Sequence, residues 1–157
     1  MSVRGVQSHP VRGSVPDIFH DFTIAAKRGA VFEAITTPGG LDQWWTKTSS
    51  GEPRAGAIYE LGFGPGFDWR ARVTELVPNE SFELQMITAD ADWTDTRVRF
   101  DLSAGSGVTP VQFRHVGWPS ANELYRVSCF CWAAYLRILR RYLEHGEHVP
   151  YETRLDV

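Results

Sequence analysis

The chain has 157 residues, of which 43% are apolar and 22% charged, a balance typical of a single globular domain. A chain of this length buries enough surface on folding to form a core without disulfide or metal support. Its formal net charge of −3 gives no global attraction to nucleic acid or to an anionic membrane, and we expect neither as a partner.

The first third of the chain is predicted to contain one strand and two short helices. Residues 1–16 have no periodic pattern, which predicts a flexible N-terminal arm. Apolar residues alternate from Asp17 onward and predict a strand. The apolar spacing of Lys27–Thr36 predicts a helix that ends at the Thr37–Gly40 segment, and a second short helix is predicted at Leu41–Trp45.

Five further strands and one long helix are predicted in the rest of the chain. A long amphipathic helix is predicted from Pro119 to Glu144, because apolar residues recur there at three-to-four spacing. The order β-α-α-β-β-β-β-β-α predicts an α+β fold in which a curved antiparallel six-stranded sheet wraps around the C-terminal helix. The five strands are predicted from period-two patterns between turn residues, at Ala57–Leu61, Asp68–Leu76, Ser81–Thr88, Asp92–Ser103 and Thr109–Val116.

The aromatic and cysteine content bears on the interior of the molecule. Six Trp, five Tyr and nine Phe must either fill a core or wall a cavity for a flat apolar molecule, and composition leaves both open. Cys129 and Cys131 lie on the long helix, where a two-residue step rotates the thiols apart by about 200° and excludes a bridge between them. The chain has no apolar stretch of about 18 residues, so we predict a cytoplasmic protein without integral membrane contact.

Three segments resemble one known superfamily. The segments Asp21–Lys27 and Val31–Thr36 are similar to the opening strand and helix of the START-like (SRPBCC) superfamily. Leu41–Trp45 resembles the Trp-containing second helix of its branch named for activators of the heat-shock-protein-90 ATPase. His115–Trp118, followed by Trp132–Gly146, resembles the last strand and closing helix of that branch.

The resemblance covers residues 17–147 and implies a helix-grip domain there, with 148–157 as a tail. It also implies a cavity between the curved sheet and the final helix. Strand alternation then identifies the inward-facing side chains that are candidates for the cavity wall. The predicted ligand-binding residues are His20, Tyr59, Trp69, Ala71, Phe82, Leu84, Met86, Val98, Phe100, Phe113, His115, Tyr125, Ser128, Cys129 and Trp132.

Each candidate residue has a structural interpretation beside the functional one. His20 and His115 face inward, where an imidazole either holds a ligand oxygen, acts as a general base, or is a hydrogen-bonded core residue. Trp93 and Trp118, like Trp69 and Trp132, either form an aromatic cage around a ligand or pack in the core. Trp45, with its neighbour Trp44, either covers the cavity mouth or holds the short helices on the sheet.

Neither metal nor cofactor is predicted. His145 and His148 have the spacing of a ligand pair, but no third ligand lies nearby in sequence. The glycine-rich segment Gly62–Gly66 lies between two strands and lacks a following Lys-Ser/Thr, so we predict a hairpin turn rather than a phosphate loop.

The leading hypothesis for function is a protein that binds an apolar or aromatic, lipid-like small molecule, as a monomer or homodimer. The resemblance leaves two alternatives open. One is an enzyme similar to polyketide cyclases or hydrolases, and the other is an interaction protein that regulates a chaperone ATPase.

Overall fold

The computed structural model describes residues 16–156. The predicted N-terminal arm therefore lies, apart from Pro16, outside the described residues. Three α-helices and a C-terminal 3-10 helix occur in this range: Arg28–Thr36 (α1), Pro38–Leu41 (α2), Glu123–His145 (α3) and Tyr151–Asp156 (the C-terminal 3-10 helix). The strands are Ile18–Ile24 (β1), Thr48–Ser50 (β2), Ile58–Gly62 (β3), Asp68–Val77 (β4), Ser81–Thr88 (β5), Arg97–Leu102 (β6) and Thr109–Val116 (β7).

The seven strands form one antiparallel sheet in the order β1-β7-β6-β5-β4-β3-β2. Strands β3 to β7 are a meander, and β1 joins it beside β7, with Ile18 opposite His115 and Ile24 opposite Thr109. Helix α3 covers the inner face of this curved sheet. The predicted α+β helix-grip fold is therefore confirmed, with seven strands instead of the predicted six.

The additional strand is β2, which the sequence did not predict. Its three residues are polar, so they give no alternation of apolar and polar side chains. Their strand conformation comes from pairing with β3, where Thr48 lies opposite Gly62 and Ser50 opposite Glu60. A strand that depends on its partner in this way carries no periodic signal of its own.

The second helix begins three residues earlier than predicted, at Pro38. The Thr37 hydroxyl accepts a hydrogen bond of 3.0 Å from the Gly40 amide, and Pro38 occupies the first turn, where its missing amide hydrogen has no cost. Cap and proline together start a helix within the segment that was predicted to end one.

Strand β6 and helix α3 both begin later than predicted, and local hydrogen bonds explain both differences. The segment before β6 is a turn in which the Thr94 amide donates to the Asp90 carbonyl at 3.0 Å and Asp95 has a φ of 69°. Helix α3 begins after Asn122, whose side chain accepts from the Tyr125 amide at 3.0 Å and so caps the helix.

The core lies between α3 and the sheet and is rich in aromatic rings. Trp132 of α3 is buried, and its ring centroid lies 4.6 Å from that of Phe113 on β7. Phe113 in turn lies 5.1 Å from Phe100 on β6. Ring centroids this close leave no room for a molecule between them, so these side chains pack the centre of the fold directly.

The C-terminal 3-10 helix is attached to the domain by hydrogen bonds from a buried arginine and from a tyrosine. The Arg154 guanidinium donates to the carbonyl oxygens of Asp42 at 2.6 Å and Thr46 at 3.0 Å. The Tyr151 hydroxyl donates to the Phe63 carbonyl at 2.7 Å. Residues 148–157, which the resemblance does not cover, thus contain an element that is fixed to the loop after α2 and to the β3–β4 hairpin.

Within residues 16–156, no helix combines the length and the apolar character that a membrane crossing requires.

Candidate functional site

A groove of about 400 Å³ opens where the first half of α3 faces the β3–β4 hairpin. It is larger than four other clefts on the described chain, which measure between 240 and 290 Å³. Helix α3 supplies one side, the hairpin supplies the other, and Tyr151 and Leu155 of the C-terminal 3-10 helix close one end. The volume lies within the range of small-molecule sites, about 300–1,000 Å³.

Five aromatic side chains in the groove contact one another in a closed cycle, which we call the five-ring wall. The sequence of contacts runs from Trp45 to Phe63, to Trp69, to Trp93, to Trp132 and back to Trp45. The successive centroid distances are 5.5, 4.9, 5.0, 5.7 and 5.2 Å. The rings come from five separate elements and loops, so the fold alone brings them together.

The polar groups of the groove are few and uncharged, apart from Asp90 near its opening. The Ser128 hydroxyl oxygen accepts a 3.2 Å hydrogen bond from the Trp93 indole, and no acceptor for the hydroxyl's own hydrogen lies within the described residues. Burial raises the pKa of Tyr135 to about 12 and also raises the pKa of the Cys131 thiol. Both groups are therefore protonated at neutral pH.

His115 lies directly behind the five-ring wall and is fully buried. The Trp132 indole donates to its Nδ1 at 3.1 Å, and its Nε2 lies 2.7 Å from the Thr96 hydroxyl oxygen. An indole N–H only donates, so Nδ1 carries no proton and Nε2 does. The Thr96 hydroxyl accepts this hydrogen bond and donates one of its own to the Trp93 carbonyl oxygen.

This network determines the chemistry available to His115. Burial lowers the pKa of His115 to about 3, so the imidazole is neutral at physiological pH. Its single free lone pair already accepts from Trp132, and its hydrogen is already donated. A general base needs an open lone pair within reach of the substrate. His115 has none in this structure, so its geometry is that of a hydrogen-bonded core residue.

The predicted site residues fall into three groups in the structure. Trp69, Ser128 and Trp132 line the groove. His20, Tyr125 and Cys129 are partly buried elsewhere, and the Tyr125 hydroxyl donates to the Asp17 carbonyl at 2.8 Å. The third group is buried in the core: Tyr59, Ala71, Phe82, Leu84, Met86, Val98, Phe100, Phe113 and His115.

The adjacent tryptophans Trp44 and Trp45 do different things. The Trp44 indole is buried and donates to the Ala34 carbonyl at 2.9 Å, which holds the loop after α2 on helix α1. Trp45 lies in the groove. Trp44 thus has the structural role considered for this pair, and Trp45 belongs to the groove wall rather than to a cover over its mouth.

Several groove residues were absent from the predicted set. Phe63 and Phe67 flank the glycine-rich hairpin turn, while Tyr151 and Leu155 belong to the segment predicted as a tail. A sequence signal does exist at the hairpin, because two phenylalanines beside Gly64 and Gly66 are unusual in a solvated turn. No comparable signal places residues 151–155 against a hairpin some 90 positions earlier.

No metal site accompanies the groove. Within residues 16–156, no group of three or more His, Cys, Asp or Glu side chains is arranged to hold a metal ion. His148, one of the pair considered in the sequence, has its Nδ1 at 2.7 Å from the Gln43 side-chain oxygen.

The sequence matches the family described as activator of Hsp90 ATPase homolog 1-like protein over residues 25–144. The chain belongs to this family. The match begins directly after β1 and finishes in the last turn of α3, so it covers strands β2 to β7 and all three α-helices but neither β1 nor the C-terminal 3-10 helix. The groove wall formed by Tyr151 and Leu155 therefore lies beyond the part of the chain that defines the family.

Solved structures with the same fold include the Aha1 dimer from Colwellia psychrerythraea, at 29% identity and a TM-score of 0.76, covering 84% of this chain and 98% of that chain. Another is CalU16 from Micromonospora echinospora, at 20% identity and a TM-score of 0.69, covering 88% of this chain and 80% of that chain. Among curated proteins, no match was found.

Proposed function

We propose that this member of the activator of Hsp90 ATPase homolog family binds a flat, uncharged, apolar or aromatic small molecule in the groove. The observation that carries the proposal is the five-ring wall, which presents aromatic surface to a space of about 400 Å³. Apolar walls with a few placed polar groups are the usual composition of small-molecule sites.

The polar groups of the groove support an uncharged ligand with one acceptor atom. The Ser128 hydroxyl can donate a hydrogen bond from the floor of the groove, and protonated Tyr135 can donate from its side. A charged ligand would lose its hydration deep in the groove without meeting a group of opposite charge there, and burial of an unpaired charge costs free energy. A ring system with a carbonyl or ether oxygen is uncharged and has the acceptor atom that these donors need.

The binding interpretation is favoured over the enzyme alternative by the state of His115. Both of its nitrogens are engaged by Trp132 and Thr96. A cyclase or hydrolase mechanism through this residue would first have to break a buried hydrogen bond to Trp132. The thiol and hydroxyl groups in the groove are held protonated by burial, so neither is activated as a nucleophile.

Substitution at Cys131 tests the proposal, because this half-buried side chain lines the groove. We expect Cys131→Phe to fill part of the space and to weaken binding of 2-naphthol, used as a flat uncharged probe, by about tenfold or more. Cys131→Ser is the matched control: it keeps the space open and removes only the thiol, so its affinity should stay within about twofold.

Titration calorimetry measures the two affinities, and circular dichroism confirms that both variants are folded. Native mass spectrometry of the purified chain adds a direct test for a compound that copurifies with it. Equal affinity of 2-naphthol for Cys131→Phe and for the unaltered chain would contradict the assignment of the groove.

A second candidate function is regulation of a chaperone ATPase, which the family description and the similarity to Aha1 favour. The direct measurement is the ATP hydrolysis rate of purified Hsp90 with and without the chain. A change in that rate which saturates with added chain supports this function, and an unchanged rate rejects it.

We also propose that a second copy of the chain covers the apolar rim of the groove. The similar Aha1 structure is a dimer. Val127 and Leu155, which line the groove, are 49% and 51% exposed, and Phe130, three residues after Val127 on α3, is 75% exposed. Exposed apolar residues grouped in this way are typical of interaction sites. Sedimentation analysis of the unaltered chain and of Phe130→Glu, which should be monomeric, distinguishes a homodimer from a monomer.

The cytoplasm is the proposed location. Cys129 and Cys131 are both free thiols, and free thiols persist most readily in a reducing compartment.

A further inference from the structure

A second cleft lies between the edge strand β1 and the C-terminal half of α3, away from the groove. Its volume is about 240 Å³. Strand β1 contributes His20, Asp21 and Phe22, and α3 contributes Leu136, Arg137 and Arg140 among its lining residues. It shares no lining residue with the groove, so an inference about it does not depend on the proposed function.

Two arginines give this cleft a local positive charge in a chain with a net charge of −3. Arg137 and Arg140 are three residues apart on α3, so their side chains leave the same face about 5–6 Å from each other. Neither makes an ion pair or a side-chain hydrogen bond with residues 16–156, whereas the neighbouring Arg141 pairs with Glu147 at 2.7 Å. The two guanidinium groups that line the cleft thus have donors without partners among the described residues.

His20 supplies an unsatisfied polar atom on the other side of the cleft. Its Nε2 is buried and has no hydrogen-bond partner within the described residues, while its ring stacks on Phe113 with a centroid distance of 6.1 Å. Buried nitrogen atoms in folded proteins nearly always have a partner. The missing partner of His20 is consistent with a group that enters the cleft and meets the ring, directly or after rotation about its Cβ–Cγ bond.

Asp21 also borders the cleft, so the direction of its carboxylate bears on the charge of the cleft. Successive side chains of a strand point to opposite faces, so Asp21 points away from His20 and Phe22. It also lines a cleft on the outer face of the sheet with Phe19 and Arg114. The charge that faces α3 is therefore dominated by the arginines.

We propose that the cleft between β1 and α3 binds a phosphate group, with Arg137 and Arg140 on one side and His20 on the other. Guanidinium groups form paired, charge-assisted hydrogen bonds with oxyanions. Donors from three side chains can each bind a different oxygen of a phosphate monoester, which has three free oxygens, whereas a carboxylate would offer them only two. The ligand class is a small phosphate monoester or a phosphate-bearing lipid headgroup.

The test is a titration of the full ¹⁵N-labelled chain with inorganic phosphate at constant ionic strength, followed by the imidazole signals of His20 and the guanidinium signals of the two arginines. A saturable shift of these signals is expected. The double variant Arg137→Gln with Arg140→Gln should weaken phosphate binding by about tenfold or more.

The matched control is the double variant Arg72→Gln with Arg114→Gln, which removes the same charge from exposed positions on the outer face of the sheet. Its phosphate affinity should stay within about twofold of the unaltered chain, because solvent and salt screen distant charges. The absence of a saturable shift, or an equal loss in both double variants, would overturn the proposal.

Two further probes distinguish the sources of the phosphate. Glycerol 3-phosphate represents a soluble monoester, and phosphatidylcholine vesicles that contain phosphatidic acid represent a lipid headgroup. Saturable binding of either one that is lost in Arg137→Gln with Arg140→Gln supports the site and identifies its ligand class. Cys131→Phe should bind inorganic phosphate normally, which separates this site from the groove.

Discussion

At the scale of single residues, His115 shows how hydrogen-bond partners decide between chemistry and structure. The alternation of β7 placed this imidazole on the inner face correctly. Its partners were not predictable, because Thr96 stands between a turn and β6 in a segment that reads as one continuous strand in sequence, and Trp132 comes from α3. Strand alternation therefore predicts the direction of the side chain, while its role depends on partners from other elements.

The buried neutral imidazole predicts a specific dependence of stability on pH. The pKa of His115 is about 3 in the folded chain and about 6.5 when unfolded, so below pH 6.5 the unfolded state binds a proton that the folded state does not. The free energy of unfolding should then fall, by up to about 1.4 kcal/mol per pH unit, as pH decreases from 6.5 toward 3. His115→Gln should lack this contribution.

Urea denaturation at pH 7 and pH 5 measures the difference. His148→Gln, which removes an exposed imidazole, should retain the pH dependence of the unaltered chain. If His115→Gln kept the full dependence as well, the buried neutral state of His115 would be wrong.

At the scale of elements, helix α2 shows where a glycine is required by close packing. A Cβ atom added at Gly40 would lie 2.6 Å from the Ala34 Cα and 2.7 Å from the Glu33 carbonyl oxygen, both backbone atoms of α1. A Cβ atom added at the neighbouring Gly39 would meet nothing within 4 Å. The two glycines of one short helix thus have opposite constraints.

We expect Gly40→Ala to lower the free energy of unfolding by about 1–3 kcal/mol, because α2 must move away from α1. Gly39→Ala should leave it unchanged or raise it by up to about 1 kcal/mol, since alanine restricts the unfolded chain. Urea denaturation of both variants gives the comparison. A similar loss in the two variants would contradict the role of close packing.

The elements themselves divide into those that a sequence can predict and those that it cannot. Strands β5 and β7 were predicted with their observed bounds because their apolar residues alternate without interruption. Strand β2 has no such pattern, and α2 begins inside a segment whose proline and glycines indicate a turn. Pairing with β3 determines the conformation of β2, and local propensity does not contain that information. Helix α2 instead depends on a local detail, the Thr37 cap, which makes a helix of a segment with turn-like composition.

At the scale of the whole molecule, the groove depends on segments that are far apart in sequence. The five-ring wall takes Trp45 from the loop after α2, Trp69 from β4 and Trp132 from α3. The family resemblance predicted a space beside the final helix. It could not predict that side chains of the central strands would fill the part of that space beside them, because packing depends on the size of each facing side chain.

The buried Arg154 predicts a coupling between stability and the groove. Arg154→Gln should leave the Asp42 and Thr46 carbonyl oxygens without their donors. We expect the free energy of unfolding to fall by about 2 kcal/mol and the affinity for 2-naphthol to fall by about tenfold, since Tyr151 and Leu155 lose their anchor.

Urea denaturation and titration calorimetry measure the two effects on Arg154→Gln. The control is Glu152→Gln in the same 3-10 helix, whose exposed side chain makes only a 3.9 Å contact with Lys47 and should change neither quantity appreciably. Unaltered probe affinity in a folded Arg154→Gln protein would show that the 3-10 helix is not needed for binding.

The attachment of residues 151–156 by the hydrogen bonds of Arg154 and Tyr151 has an evolutionary consequence. The sheet and α3 form the core without residues 151–156. Tyr151 and Leu155 of that segment line one end of the groove and so determine its width there. Exchange of residues 151–156 can therefore change which molecules fit the groove, provided that the new segment keeps donors for the Asp42 and Thr46 carbonyl oxygens.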